Sequence, residues 1–147
     1  LSPSGIAPSG SVVAAVAPGE AVWLGFQAID RAQPAIVRVR VDSPGPIDAV
    51  TGGPWDETLI DEPRNYLVCP PDSRLPGVRH STGYLPFGVG QRSTSPGIIE
   101  RLSVISGADT RILVPVELAT PDVFTLLTGL VPEPLDPDSA YKGWRLP

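Results

Sequence analysis

The sequence predicts a single, mainly β domain of the β-sandwich or jelly-roll type, with one short C-terminal helix and an extended, proline-rich arm at each end. Three observations predict this fold. Short segments in which apolar and polar residues alternate recur along the chain. Turns that hold many of the 19 prolines and 15 glycines separate these segments. One segment combines the start and stop signals of a helix, so several short strands and one helix are expected.

Length and composition fit one domain. The chain has 147 residues, of which 41% are hydrophobic and 18% are charged, as in globular proteins. We expect an N-terminal arm over residues 1–10, the domain over residues 11–130 and a C-terminal arm over residues 131–147. Residues 51–97 carry seven prolines and seven glycines. They predict a large ordered excursion that covers a sheet face or a neighbouring subunit.

Residues 35–42 form the clearest predicted strand. Val39 and Val41 face one side of it, and Arg38 and Arg40 face the other. β-Branched residues in this alternation favour a pleated, half-buried surface. The two arginines could join others in a guanidinium patch, but the acidic composition favours their pairing with Asp and Glu.

The other strands are expected where shorter apolar runs lie between turn residues. In chain order they are residues 11–16, 20–29, 47–50, 66–69 and 78–84. Trp23, in the second of these, is expected in the core. Residues 98–105 and 110–118 are expected to pair as a hairpin. Pro115 cannot donate a ladder hydrogen bond, so the second hairpin strand is expected to be bulged or at an edge.

The helix is expected from Pro121 to about residue 128. Thr120 has the chemistry of an N-cap, Pro121 suits the first helical position, and Asp122 complements the helix dipole. Gly129 can end the helix in a left-handed conformation. The apolar stripe that would face the core consists of Val123, Phe124, Leu127 and Leu130.

Charge and apolar run length exclude two classes of partner. The net charge is −5, and no basic block is present, so direct nucleic-acid binding is not expected. The longest apolar runs span only about six residues, far short of the roughly 20 needed to cross a bilayer. Residues 1–10 lack the pattern of a signal peptide. Arginine in preference to lysine, with no methionine, suits a GC-rich genome or, alternatively, a hot habitat.

His80 and Cys69 are the only histidine and the only cysteine. A serine hydrolase site would need His80, with Ser81 or a distant serine as nucleophile, but no G-x-S-x-G elbow is present. Cys69 excludes an intrachain disulfide and a multi-cysteine zinc site. The expected states are a loop histidine and a buried, inert thiol, and no cofactor is expected.

Four carboxylates lie close together after Trp55. They are Asp56, Glu57, Asp61 and Glu62. Hard oxygen ligands of this kind can hold a cation such as Ca²⁺, but the spacing matches no EF-hand loop. The alternative is a solvated turn that pairs with Arg64 and its neighbours. The sequence leaves both open.

The arms carry the functional hypothesis, because a self-contained domain would not need them. The apolar anchors expected to contact partners are Ile6, Trp55, Tyr141, Trp144 and Leu146. The sequence favours a non-enzymatic structural subunit, such as a viral coat or capsid-decoration protein, in a virion or an extracellular assembly. Its partner would be another copy or another structural protein. A monomeric binding module for carbohydrate or protein is the alternative, and an enzyme with a site around His80 is the third hypothesis.

Overall fold

The computed structural model describes residues 5–6, 10–42, 45–89, 93, 95–107 and 112–132, with residues 5–6 as backbone only. Within them the chain forms strands and one helix. The strands are β1 (Gly5–Ile6), β2 (Val12–Ala15), β3 (Leu24–Gly25), β4 (Ala35–Val41), β5 (Ile47–Asp48), β6 (Leu67–Cys69), β7 (Arg74–Leu75), β8 (Gly77–His80), β9 (Gly83–Pro86), β10 (Ile98–Ser106) and β11 (Ile112–Ala119). The helix is α1 (Pro121–Thr128). The prediction of a mainly β chain with one short helix is confirmed.

One open sheet of seven strands organises the described chain. Its order is β1-β2-β11-β10-β4-β5, and β6 also pairs with β4. Each of these pairs is antiparallel except β2 with β11, which is parallel. Two further sheets, β3 with β7 and β8 with β9, have two strands each. The predicted hairpin is present as β10 and β11, paired from Ile98–Ala119 to Ser106–Ile112.

The main core lies on the inner face of the seven-stranded sheet. Val39, Val41 and Leu102 of this face are fully buried. The part of segment 51–97 that holds Leu75 and Phe87 covers them, since these two residues belong to the same apolar cluster. Its backbone is also joined to the rest of the fold, because the N–H of Arg79 donates to Ala49 (2.9 Å) and the carbonyl of Phe87 accepts from Val22 (2.9 Å).

Helix α1 packs on the opposite, outer face of the sheet. Phe124 is fully buried there among Val13, Ile98 and Ala119, with Val123 and Leu127 against them. The alternation of β2 explains this, because Ala14 points into the main core whereas Val13 points towards the helix. Thr120 occupies the N-cap position without a side-chain capping bond, and Gly129 ends the helix in the left-handed conformation with φ of 73°.

Three local predictions are wrong. Leu130 lies beyond the end of α1 and is 43% exposed, so it does not belong to the buried stripe. Trp23 is outside the core at 36% exposure and precedes a strand of only two residues. Segment 78–84 is not one strand but the β8–β9 hairpin, which turns at residues 81–82. In the last two cases tertiary pairing decides the strand limits.

Strand β11 lies inside the sheet, but the half that holds Pro115 has an unpaired edge among the described residues. Val16 donates its N–H to the carbonyl of Ala119 (2.8 Å), so the backbone groups of Ala119 face β2. Because backbone direction alternates along a strand, Leu113 and Pro115 face the same side. The pairing with β2 begins only at Val116. Among the described residues no strand pairs with Ile112–Pro115 on that side, so the missing N–H of Pro115 costs no ladder bond.

Candidate functional site

Trp55 covers two arginines on the outer face of β4. The guanidinium carbon of Arg38 lies 3.7 Å from the centroid of the indole ring, and that of Arg40 lies 5.4 Å from it. Arg38 and Arg40 occupy alternate positions of one strand, so both project from the same face. Trp55 itself is half-buried. The side of its ring that faces the sheet is therefore occupied by cation–π contacts.

A tight turn after β5 places Trp55 over these arginines. The N–H of Gly52 donates to Asp48 (2.7 Å), and the N–H of Trp55 donates to Pro46 (3.0 Å). Gly52 has φ of 78°, and a Cβ there would collide with the carbonyl oxygen of Arg79. Only glycine fits this position without strain.

Arg38 forms a buried ion pair beneath the indole. Its Nη2 donates to Oδ2 of Asp48 at 3.0 Å, and the two side chains are 3% and 1% exposed. Asp48 also accepts bonds from the N–H groups of Val50 (2.9 Å) and Thr51 (3.3 Å) through Oδ1. The Nε and Nη1 atoms of Arg38 are also buried, and no described residue forms a hydrogen bond with them. The π face of Trp55 offsets part of their lost hydration.

Arg40 is fixed by a second polar network on the same face. Its Nε donates to Oδ1 of Asp42 at 2.6 Å. The hydroxyl of Ser103, which lies opposite on β10, donates to Oδ2 of Asp42 at 2.8 Å. Arg101 on β10 lies opposite Glu117 on β11, with 3.5 Å between its Nε and Oε1 of Glu117. The Nη1 of Arg101 also donates to the hydroxyl oxygen of Ser95 at 3.1 Å.

These contacts decide between the two alternatives for the arginines, a shared guanidinium patch or pairing with Asp and Glu. Arg38, Arg40 and Arg101 do share the outer face, but each is paired with a carboxylate of the same chain. The sequence-based expectation of pairing is therefore confirmed for these three. Arg111 lies outside the described residues. The result is a charged but locally neutral surface whose side chains are already ordered, which lowers the entropy lost on binding.

The four carboxylates after Trp55 do not converge. Asp56 accepts bonds from the N–H and hydroxyl of Thr58 (2.8 and 2.7 Å). These bonds lower the pKa of Asp56, the side-chain bond contributing most. Glu57 accepts from Nε1 of Trp55 at 3.1 Å, and Glu62 is exposed. The cluster is thus a set of local turn contacts on a solvated surface.

Asp61, the fourth of these carboxylates, is held by Tyr66. The phenol of Tyr66 donates to Oδ1 of Asp61 at 2.6 Å. This bond raises the pKa of the Tyr66 hydroxyl, because the neutral phenol is the donor. Across the described residues no group of three or more His, Cys, Asp or Glu side chains is arranged to hold a metal ion.

His80 and Cys69 lie in different surroundings. Cys69 is buried at the end of β6 and belongs to the main core. His80 is exposed at the end of β8, where its Nδ1 lies 3.3 Å from the hydroxyl of Ser81. The His80–Ser81 contact is between sequence neighbours on the surface, and it has no attached carboxylate among the described contacts.

Leu126, on the outward side of α1, and Leu130 and Val131, just after the end of this helix, are exposed apolar residues, which we define together as the apolar ridge. Their exposures are 82%, 43% and 78%. Leu126 lies two positions after the buried Phe124 in α1 and therefore on the opposite side of the helix, and Leu130 and Val131 follow the C-cap Gly129. The sequence did not lead us to predict this ridge. Leu126 could have indicated it, because this apolar residue does not belong to the apolar stripe that was predicted to face the core.

The predicted anchors in the arms are placed only in part. Gly5–Ile6 pairs with β2 in the register Gly5–Val13 and Ile6–Val12, so the backbone at Ile6 joins the sheet. Tyr141, Trp144 and Leu146 lie outside the described residues. In the described part of the chain no helix has the length and apolarity to span a membrane.

No known protein family, characterised protein or solved structure matches this chain.

Proposed function

We propose that this chain is a non-enzymatic structural subunit, such as a coat or capsid-decoration protein, that assembles with copies of itself or with another structural protein in a virion or an extracellular assembly. The proposed architecture is a β-sandwich-like pair of layers, in which the seven-stranded sheet is one layer and residues 74–87 of segment 51–97 form the other. Leu75 and Phe87 in the shared core support this arrangement. A rigid two-layer domain provides a stable body from which the terminal arms can reach a neighbour.

The apolar ridge carries this proposal. Leu126 at 82% and Val131 at 78% are exposed although the opposite side of α1 is fully buried at Phe124. Single exposed apolar residues are ordinary, but three large ones within six residues offer apolar surface that a partner can cover. The fixed arginines on the outer sheet face add pre-ordered contacts of a type that is enriched at interfaces.

The experiment that tests the proposal is sedimentation velocity of the purified chain over a wide concentration range, up to about the millimolar level at which very weak complexes form. We expect concentration-dependent association or a discrete oligomer. A chain that remains monomeric throughout would contradict self-assembly.

A binding module remains the second candidate, because Trp55 is held rigidly by Arg38 and by Glu57. An aromatic ring fixed on one side can stack on a ligand with the other. Quenching of tryptophan fluorescence by glycans, absent in Trp55→Phe, together with a monomeric chain would favour this function instead.

A further inference from the structure

The outward stripe of α1 combines an acid with apolar side chains. Asp122 and Leu126 are four residues apart within α1, and the exposed Leu130 and Val131 follow its C-cap, Gly129. Asp122 and Leu126 are exposed on one side of the helix, and Val123, Phe124 and Leu127 pack on the sheet from the other. A ligand for this stripe would present apolar groups beside a positive charge.

The C-terminal end of the chain has that chemistry. Residues 141–147 hold Tyr141, Trp144 and Leu146, with Lys142 and Arg145 between them and no acidic residue. They therefore carry a charge of +2. The other 140 residues hold 9 basic and 16 acidic side chains, a net charge of −7 that sums with +2 to the −5 of the whole chain. The last seven residues thus complement the rest of the protein in charge.

The intervening sequence favours a neighbour's ridge over the chain's own. Residues 132–140 include Pro132, Pro134 and Pro137, and proline-rich spacers favour extended conformations of about 3.1 Å per residue. Nine such residues reach roughly 28 Å. An eight-residue helix is only about 12 Å long. An extended spacer would therefore carry the aromatic anchors well past the helix from which they started.

We propose that the apolar ridge of one copy, with Asp122, receives residues 141–147 of a second copy. This inference rests on the proposed function, and it identifies residues 141–147 of a second copy as the partner of the apolar ridge. Apolar burial of Trp144 and Leu146 against Leu126 supplies the attraction, and Lys142 or Arg145 beside Asp122 fixes the direction of docking. Two copies that exchange tails form a closed dimer, and copies that each pass a tail onward form a ring or a filament.

The first test compares three proteins with the full chain by sedimentation velocity. Leu126→Ser changes an 82% exposed side chain and therefore leaves the fold intact. Truncation after Pro132 removes the tail. Ile29→Ser is the matched control, because Ile29 is fully exposed at another surface. We expect Leu126→Ser to weaken association about tenfold or more, truncation to abolish it, and Ile29→Ser to leave it unchanged.

The second test mixes two of these proteins. The Leu126→Ser chain retains its tail, and the truncated chain retains its ridge. Neither should associate well alone, but the mixture should form a one-to-one complex, because one intact tail meets one intact ridge. Adding Asp122→Lys to the truncated partner should weaken that complex and make it less sensitive to salt.

The outcomes separate this inference from the proposed function. Association of the full chain that survives both Leu126→Ser and truncation would overturn the inference and leave the assembly function standing. A monomeric full chain would overturn both. A monomeric chain in which Leu126→Ser alters the fluorescence of Trp144, measured with Trp23 and Trp55 replaced by Phe, would show that the tail docks on its own helix.

Discussion

At the scale of single residues, we expect the ion pair of Arg38 and Asp48 to be the most costly single contact to break, measured as a loss in the free energy of unfolding. Both side chains are almost fully buried. Removing one partner would leave the other charge in a site closed by Trp55, where water cannot replace the lost contact. A buried pair of this kind contributes little net stability, but breaking it is costly.

We expect Asp48→Ala to lower the free energy of unfolding by roughly 3–5 kcal/mol. The guanidinium of Arg38 would lose the one hydrogen bond that it makes to the described residues, and the turn would lose the acceptor of Val50 and Thr51. Urea unfolding followed by far-UV circular dichroism measures the change. Glu117→Ala is the control, since its ion pair with Arg101 is partly exposed and should cost at most about 1 kcal/mol. Equal, small losses in both variants would contradict the argument.

The residue-scale predictions succeeded where the information was local. Alternation along β4 placed Arg38 and Arg40 on one face, and the acidic composition indicated that they pair with carboxylates. The sequence did not predict the stack with Trp55. That contact joins residues 17 positions apart through a turn whose course depends on Gly52 and Arg79.

At the scale of secondary structure, β11 has a paired half and an open half. Residues 116–119 pair with both β2 and β10, whereas residues 112–115 pair with β10 alone among the described strands. Ile112 and Leu113 are 60% and 49% exposed at this open half. Pro115 limits its capacity to add another strand, because it has no N–H to donate on that side.

Replacing Pro115 and replacing its neighbour should have opposite effects. Pro115→Ala keeps the β10–β11 ladder intact and should change the unfolding free energy by less than about 1 kcal/mol, while the new edge donor promotes aggregation. Val114→Pro removes an N–H that faces β10 and should cost at least about 2 kcal/mol. Thermal unfolding and light scattering distinguish the two. A larger loss in Pro115→Ala would mean that residue 115 faces β10.

The elements that sequence predicted well are those with local determinants. The helix depends on Pro121 at its start and Gly129 at its end, and the β10–β11 hairpin joins neighbouring strands. The predicted strand 20–29 shortened to Leu24–Gly25 because its partner, β7, offers only two residues for pairing. The sequence of residues 20–29 contains no information on the length of β7, the distant strand with which it pairs.

At the scale of the whole molecule, the sheet shares one core with the part of segment 51–97 that holds Leu75 and Phe87. Phe87 has no exposed surface and lies in the same cluster as Val39 and Leu102. The segment therefore cannot detach without exposing the inner face of the sheet. Its composition of turn residues predicted an ordered cover but not which strands it would cover, since strand order depends on contacts distant in sequence.

Phe87→Ala should destabilise the whole fold by about 3–5 kcal/mol through the cavity that it leaves. Because the core is shared, tryptophan fluorescence and far-UV circular dichroism should report one transition, shifted equally. Leu85→Ala, at a 40% exposed position of β9, is the control and should cost about 1 kcal/mol or less. Separate transitions for the two probes would indicate that the segment unfolds independently.

The parallel pairing of β2 with β11 has a mechanical consequence. β2 follows the N-terminal segment, and β11 leads through α1 to the C-terminal segment. Tension that pulls the two ends apart therefore acts along adjacent strands in opposite directions, after the short β1 and the helix have peeled away. It loads the bonds between Val12–Ala15 and β11 in shear, so that they must rupture together. Antiparallel terminal strands would unzip one bond at a time, and the parallel arrangement suits a protein that is held by its ends.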